Sequence, residues 1–260
     1  MHGSDQSRAR DLPHATAEII ARLRERRPRV HCITNAVAQN FTPNVLLAAG
    51  AIPSMTIAPE EVAAFVARSD ALLVNLGTLD AARREATVIA VERAAEKDIP
   101  WLLDPVFIDR SEPRCGFARG LMARRPNAVR LNAAEFRALS GSEAGEEAVS
   151  RFASEHRVTI GLTGATDLVA DGAQVVRIAN GHPLMERVTA MGCAGTALIA
   201  ACFAVARDPV VAMGAGLLIL DIAGEVAAQR ARGPGSFAVE ILDALHAIDG
   251  ETIERLARVS

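Results

Sequence analysis

Six stretches of this chain carry side chains whose types and spacing could do chemistry together: Asn35, Gly77-Thr78, Asp104, Asn132-x-x-Glu135, Thr163-Gly164 and Gly192-Cys193. Asp104 can hold Mg²⁺ through water, or it is a strand-end acid that turns the chain before Pro105. Asn132-x-x-Glu135 puts two oxygen-bearing side chains on one face of a helix's first turn. That spacing suits carboxylates holding the waters of a Mg²⁺ ion, and it equally makes an ordinary N-cap with a stabilising Glu. Arg114 can neutralise phosphate charge or stand on the surface. Thr163 and Gly164 offer a hydroxyl and an unencumbered N–H to a phosphate. Met55, at a strand end, is either a soft wall against a small heterocycle or core.

Residues 188–197 form the most informative of these stretches. Thr189, Gly192 and Gly195 read as supplying a small-residue turn and the Ala-rich run 194–206 the helix, with Cys193 at the first helical turn. Free N–H groups and a partial positive charge at such a helix start suit an anion. A helix N-terminus also lowers a thiol's pKa, which would help Cys193 take a proton late in a transfer. The plainer reading is a core helix with a buried cysteine. His31, Cys32, Cys115 and Cys202 carry no spacing that suggests a ligand set.

Strand and helix signals alternate to position these residues. Short apolar runs at 29–33, 52–56, 71–76, 101–103, 128–131 and 159–162 read as strands. Helical patterns lie between them, with starts such as Pro59-Glu60-Glu61 and Asp80. The repeat predicts βαβ units around a mostly parallel sheet, in which ligands bind beyond the carboxyl ends of the strands. The candidate residues follow those ends. Asp171-Gly172 predicts a hairpin. After Pro183 the chain is mainly helical, at about 193–206, 209–230 and 236–245. Residues 1–14 read as a flexible tail, and 15–260 as one domain.

Composition excludes several classes. The 260 residues carry a net charge of −3, with 3% aromatics and no Tyr, so neither a nucleic-acid field nor a base-stacking platform is expected. The four cysteines form no C-x-x-C pair, which fits a reducing cytoplasm. Residues 188–206 are uncharged and long enough to span a bilayer. They are dominated by weak drivers of insertion, so they read as a buried helix rather than a membrane anchor. Neither a P-loop, a strand-linked G-x-G-x-x-G nor a G-x-S-x-G elbow occurs.

Taken in order, Cys32-Ile33-Thr34-Asn35, Gly50-Ala51-x-Pro53-Ser54-Met55, Asn75-x-Gly77-Thr78-Leu79, Leu103-Asp104-Pro105-Val106, Asn132-x-x-Glu135, Thr163-Gly164-x-x-Asp167 and Gly192-Cys193 resemble the hydroxyethylthiazole kinase family, within the ribokinase-like superfamily. The resemblance covers roughly residues 31–205. It implies a ribokinase-like three-layer α/β/α sandwich with a mostly parallel central sheet, and a homotrimer with active sites between subunits. It implies transfer of the ATP γ-phosphate, with Mg²⁺, to the primary alcohol of 4-methyl-5-(2-hydroxyethyl)thiazole in thiamine synthesis. Matched position by position, Asn35, Met55 and Ala190 fall on the thiazole side. Arg114 and Thr163 fall at ATP phosphate-contacting positions; beside that match, the N–H groups of Gly164, Met191 and Gly192 are expected to face phosphate or the transferring phosphoryl. Asp104 and Glu135 fall near Mg²⁺, and Cys193 stands where most of the superfamily has a general-base Asp.

Two departures mark this chain. Ala190-Met191-Gly192-Cys193 stands where the family has Gly-Thr-Gly-Cys, so Ala190 takes a substrate-contacting glycine's place. Phe107-Ile108-Asp109-Arg110 replaces a Gly-Ala-Gly-type run after Asp-Pro-Val, which makes that loop stiffer and bulkier. Competing readings are a kinase of hydroxymethylpyrimidine or a sugar, a nucleotide-hydrate dehydratase, and a silent thiazole- or nucleotide-binding protein.

Overall fold

The computed structural model describes residues 3–260, with side chains described from residue 11 onward. Among these residues the strands are β1 (Arg29–Ile33), β2 (Ile52–Ser54), β3 (Ala71–Asn75), β4 (Trp101–Asp104), β5 (Ala128–Asn132), β6 (Thr159–Thr163), β7 (Asp167–Ala170) and β8 (Val175–Ile178). They form one sheet in the order β2-β1-β3-β4-β5-β6-β7-β8. β1 to β6 are parallel, and the Asp171-Gly172 hairpin adds β7 and β8 antiparallel.

Strand pleating sends alternate residues to opposite faces, and both faces are covered. Val30, Cys32, Leu73 and Leu102 face one core. There they meet α1 (Gly3–Arg26), α2 (Phe41–Ala49), α8 (Met191–Val205), α9 (Pro209–Ala228), α10 (Pro234–Ala247) and α11 (Gly250–Leu256). Ile33, Leu72, Val74, Leu103 and Val129 face the other. That core is closed by α3 (Pro59–Val66), α4 (Ala81–Glu96), α5 (Glu112–Met122), α6 (Ala133–Ser140) and α7 (Glu146–His156). Leu72, Leu73 and Val74 are fully buried, and each such side chain contributes about 1.5–3 kcal/mol of hydrophobic stabilisation. The result is the expected three-layer α/β/α sandwich.

Local chemistry sets the element ends. Asp80 caps α4 by accepting from the Arg83 N–H at 2.7 Å. Asn132 and Glu135 make a reciprocal capping box at α6. Pro opens α3, α5, α9 and α10, where its missing N–H costs nothing.

Two expectations change, the N-terminal tail and the end of β2. Residues 11–14 of the expected tail belong to α1, with Leu12 buried in the core; residues 1 and 2 lie outside the described residues. Pro13 lies inside that helix, and tertiary packing of Leu12, Ile19, Ile20 and Leu23 overrides its helix-breaking tendency. β2 stops at Ser54, which leaves Met55 and Thr56 beyond the strand. α5 carries Gly116 and Gly120, so its propensity is poor, and burial of Cys115, Ala118 and Leu121 makes it helical. The uncharged stretch 188–206 yields only the 15-residue α8, whereas α9 is the described helix long and apolar enough to cross a membrane. It is 83% buried within this fold and packs against α8, α10 and α1.

Candidate active site

The carboxyl ends of β1, β3 and β4 meet the start of α8 in one buried hydrogen-bond network. Asn75 and Asp104 are register partners on β3 and β4. The Asn75 amide donates to Asp104 Oδ2 at 2.8 Å, and the Thr196 hydroxyl donates to the same oxygen at 2.9 Å. Asn35 Nδ2 donates to Asn75 Oδ1 at 3.0 Å and reaches Cys193 Sγ at 3.2 Å. Gly77 is required by proximity, because a Cβ there would stand 2.6 Å from Asn35 Cβ. The Thr78 hydroxyl accepts from the Ala36 N–H at 2.9 Å, which ties the two strand-end loops together.

Asp104 is fully buried, and its Oδ1 has no hydrogen-bond partner. Burial pushes its carboxyl up to about 6; the charge of Arg130 opposes that rise and the charge of Glu135 adds to it. Glu135 uses both oxygens locally. Oε2 accepts from the Asn132 N–H and Oε1 from the Phe107 N–H, each at 2.9 Å. Phe107 is held left-handed at φ 57°, and the next three residues form a 3₁₀ turn.

Cys193 departs from expectation. Its thiol is pushed up to about 11, first by burial and then by the charge of Asp104. The helix N-terminus does not produce the lowered thiol expected from sequence, because desolvation and a neighbouring carboxylate outweigh it. Ala190, the N-cap of α8, adopts φ 66° and ψ 2°, a left-handed conformation that a glycine takes without strain. Met191 is buried in the first turn of α8. Met55 is half-buried and packs against the α8–α9 core.

The β5–β6 end is arranged differently. Asn132 and Thr163 are register partners, so their strand ends lie side by side. The Thr163 hydroxyl makes only a 3.4 Å bond to the Leu131 carbonyl. The Gly164 N–H donates to Asp167 Oδ1 at 2.9 Å. Burial raises Asp167 to about 6, and burial together with Asp167 and Glu225 raises Asp221 well above the carboxylate range.

Arg130, which the sequence reading did not single out, lies among these groups. Its charge acts on Asp104, Asp167, Asp221 and Cys193. Among the described residues it makes no hydrogen bond or ion pair. Its guanidinium lies against Gly192, where a Cβ would stand 2.8 Å from Nη1. The available signal was a lone charge inside the apolar strand Ala-Val-Arg-Leu. Arg114, by contrast, donates to the Val106 carbonyl at 2.8 Å and lines a cleft of about 260 Å³ with Phe107, Arg110 and Ser111. Burial, then the charge of Arg84, lowers its pKa.

A model of the hydroxyethylthiazole kinase family matches residues 20–251. The chain belongs to the hydroxyethylthiazole kinase family. The hydroxyethylthiazole kinase of Granulibacter bethesdensis is 45% identical, over 95% of each chain. The structure of a hydroxyethylthiazole kinase protein from Pyrococcus horikoshii superposes with a TM-score of 0.90 at 39% identity, covering 94% of this chain and 98% of that one. A ribokinase-like superfamily protein from Enterococcus faecalis shares the fold alone, with a TM-score of 0.66 at 12% identity over 85% and 88% of the two chains.

Proposed function

We propose that this chain transfers the γ-phosphoryl group of ATP to the primary hydroxyl of 4-methyl-5-(2-hydroxyethyl)thiazole, in thiamine synthesis or salvage. The observation that carries this reading is the buried Asn35–Asn75–Asp104–Thr196 network meeting Cys193 and the α8 N-terminus. Transfer of this kind needs positioning and charge neutralisation more than covalent help. The thiazole alcohol binds beside Asn35, Met55 and Ala190, with its hydroxyl at Cys193. The N–H groups of Met191 and Gly192 face the transferring phosphoryl. Arg130 stands free for the phosphoryl charge, Arg114 for the outer phosphates, and Thr163 and Gly164 complete that side.

Asp104 and Glu135 fit Mg²⁺. A buried carboxylate oxygen without a donor is suited to a cation or its water, and two carboxylates beside phosphates are a donor set Mg²⁺ takes. When bound, the ion would neutralise phosphate charge. The Cys193 thiol carries its proton near neutral pH, so it orients the hydroxyl rather than deprotonating it at the outset. The alcohol's proton leaves as the O–P bond forms, and phosphoryl oxygens can accept it.

The assembly is a homotrimer with sites between subunits, and each protomer is one kinase domain of the cytoplasm. The edge strand β2 and the exposed Val37, Leu47 and Phe65 support that interface. A coupled ADP-release assay with the thiazole alcohol, with and without Mg²⁺, tests the function. Alcohol- and Mg²⁺-dependent ADP release is expected, and its absence would overturn the reading. Light scattering tests the trimer.

A further inference from the structure

His31 lies on β1, wholly buried, and takes no part in the transfer described above. Its Nε2 is 3.1 Å from the Thr56 carbonyl oxygen, and its Nδ1 is 2.8 Å from Ser54 Oγ. A carbonyl only accepts, so Nε2 carries the proton. In the neutral ring Nδ1 is then bare, and the Ser54 hydroxyl donates to it. Burial pushes the imidazole down to about 4, which keeps the ring neutral at physiological pH. Phe65 of α3 packs against it with ring centroids 5.9 Å apart. Beyond the ring, the Thr56 hydroxyl donates to Glu61 at the start of α3.

The two partners of this ring flank Met55. The β1–β2 ladder ends at the pairing of His31 with Ser54, so the chain leaves the sheet at Met55. One imidazole therefore bridges the exit, bonded to the residue before Met55 and to the residue after it. We propose that His31 is a positioning residue of the acceptor pocket, fixing Met55 by clamping Ser54 and Thr56 with a single neutral ring. The proposal rests on the reading that Met55 lines the thiazole side. A ring that served only as core could be replaced by another ring of similar size without touching substrate affinity.

His31→Phe keeps an aromatic ring against Phe65 and deletes both hydrogen bonds. The expected result is an alcohol KM raised about ten-fold, with kcat and the KM for ATP within about two-fold of wild type. His31→Gln, whose side-chain amide can still donate towards Thr56, should recover much of that loss. Combined with Met55→Ala, His31→Phe should add little further to KM, because both act through one contact. A folded His31→Phe with wild-type KM values, or one in which kcat and both KM values move together, overturns the proposal. If His31→Phe does not fold, Ser54→Ala removes the Nδ1 partner and leaves the ring in place. It should raise the alcohol KM about two- to three-fold, and an unchanged KM overturns the proposal.

Wild-type protein that releases no ADP with the alcohol sinks the kinase reading separately. The clamp is then read from the alcohol's calorimetric Kd, expected to weaken about ten-fold in His31→Phe. Wild-type protein that does not bind the alcohol at all overturns both.

Discussion

The two ends of the candidate site are built on opposite principles. At β1, β3 and β4, neutral amides and a hydroxyl hold one buried carboxyl: Asn35 on Asn75, Asn75 and Thr196 on Asp104. At β5 and β6 the carboxylates are tied to backbone N–H groups, while Arg130 and Thr163 are loosely held. Arg130 makes no hydrogen bond or ion pair among the described residues, and Thr163 reaches its carbonyl only at 3.4 Å. On the proposed function, the difference teaches that the β1–β3–β4 end, where the alcohol would bind, is preorganised by the protein itself. The β5–β6 end, where the proposed function puts the nucleotide, would keep Arg130 and the Thr163 hydroxyl for charge that the ligand brings. Preorganised hydrogen bonds cost no rearrangement when the reaction occurs, and an unpaired guanidinium gains most from an arriving anion.

The largest effect should come from Asp104→Asn, which preserves shape at the acceptor end but removes the charge. A loss of about 10²–10³-fold in kcat is expected in the ADP-release assay. In the wild type, kcat/KM should fall as pH drops through about 6, where Asp104 takes up a proton. Stability should run the other way. The folded carboxyl at about 6 lies above its ordinary 3.8, so the stability that Asp104 contributes is fully present below about 4, and on the order of 3 kcal/mol of it is lost as pH rises through 6. Metal-free Asp104→Asn should therefore have a higher Tm than wild type at pH 8, with the gap closing towards pH 4. A variant no more stable at pH 8 would break the account of burial.

The next effect separates the two arginines. Arg130→Met should lower kcat by about 10²-fold, whereas Arg114→Met, already tied to the Val106 carbonyl, should cost less than about ten-fold. The reverse order would move the phosphoryl side towards the Phe107–Arg114 cleft.

Cys193→Ala should reduce kcat by about ten-fold or less, because the thiol is not an ionised base near neutral pH. The pH–rate profile should then show the same limbs in variant and wild type up to pH 9. A basic limb lost with the thiol would restore Cys193 as the proton acceptor. Smallest of all, Ala190→Gly should stabilise the protein by about 1 kcal/mol in denaturant titration by relieving the left-handed conformation. A destabilised variant would mean that the Ala190 methyl packs more usefully than its backbone strains.

Much of this was legible in the chain. Apolar runs such as Ala71–Asn75, buried at every position, required a covered parallel sheet. Strand-end Asn35, Asp104, Asn132 and Thr163 had to converge, because parallel strands share one carboxyl edge. Other features depend on distance between segments far apart in sequence. Asn75 and Thr196 are ordinary residues until β3, β4 and α8 bring them onto one oxygen of Asp104. Gly192 looked like a turn glycine. It is α-helical, and its missing side chain leaves room for Arg130.

The sequence by itself determined the alternation of strands and helices, several helix starts and the strand-end chemistry, because periodicity, capping and turn preferences act over a few neighbouring residues. Tertiary structure alone decided the charge states and the partners. Desolvation of Asp104 and Cys193 outweighs the local helix field, and His31 becomes a clamp only because β2 ends beside it. Burial and electrostatics depend on everything packed around a group, and no short stretch of sequence carries that information.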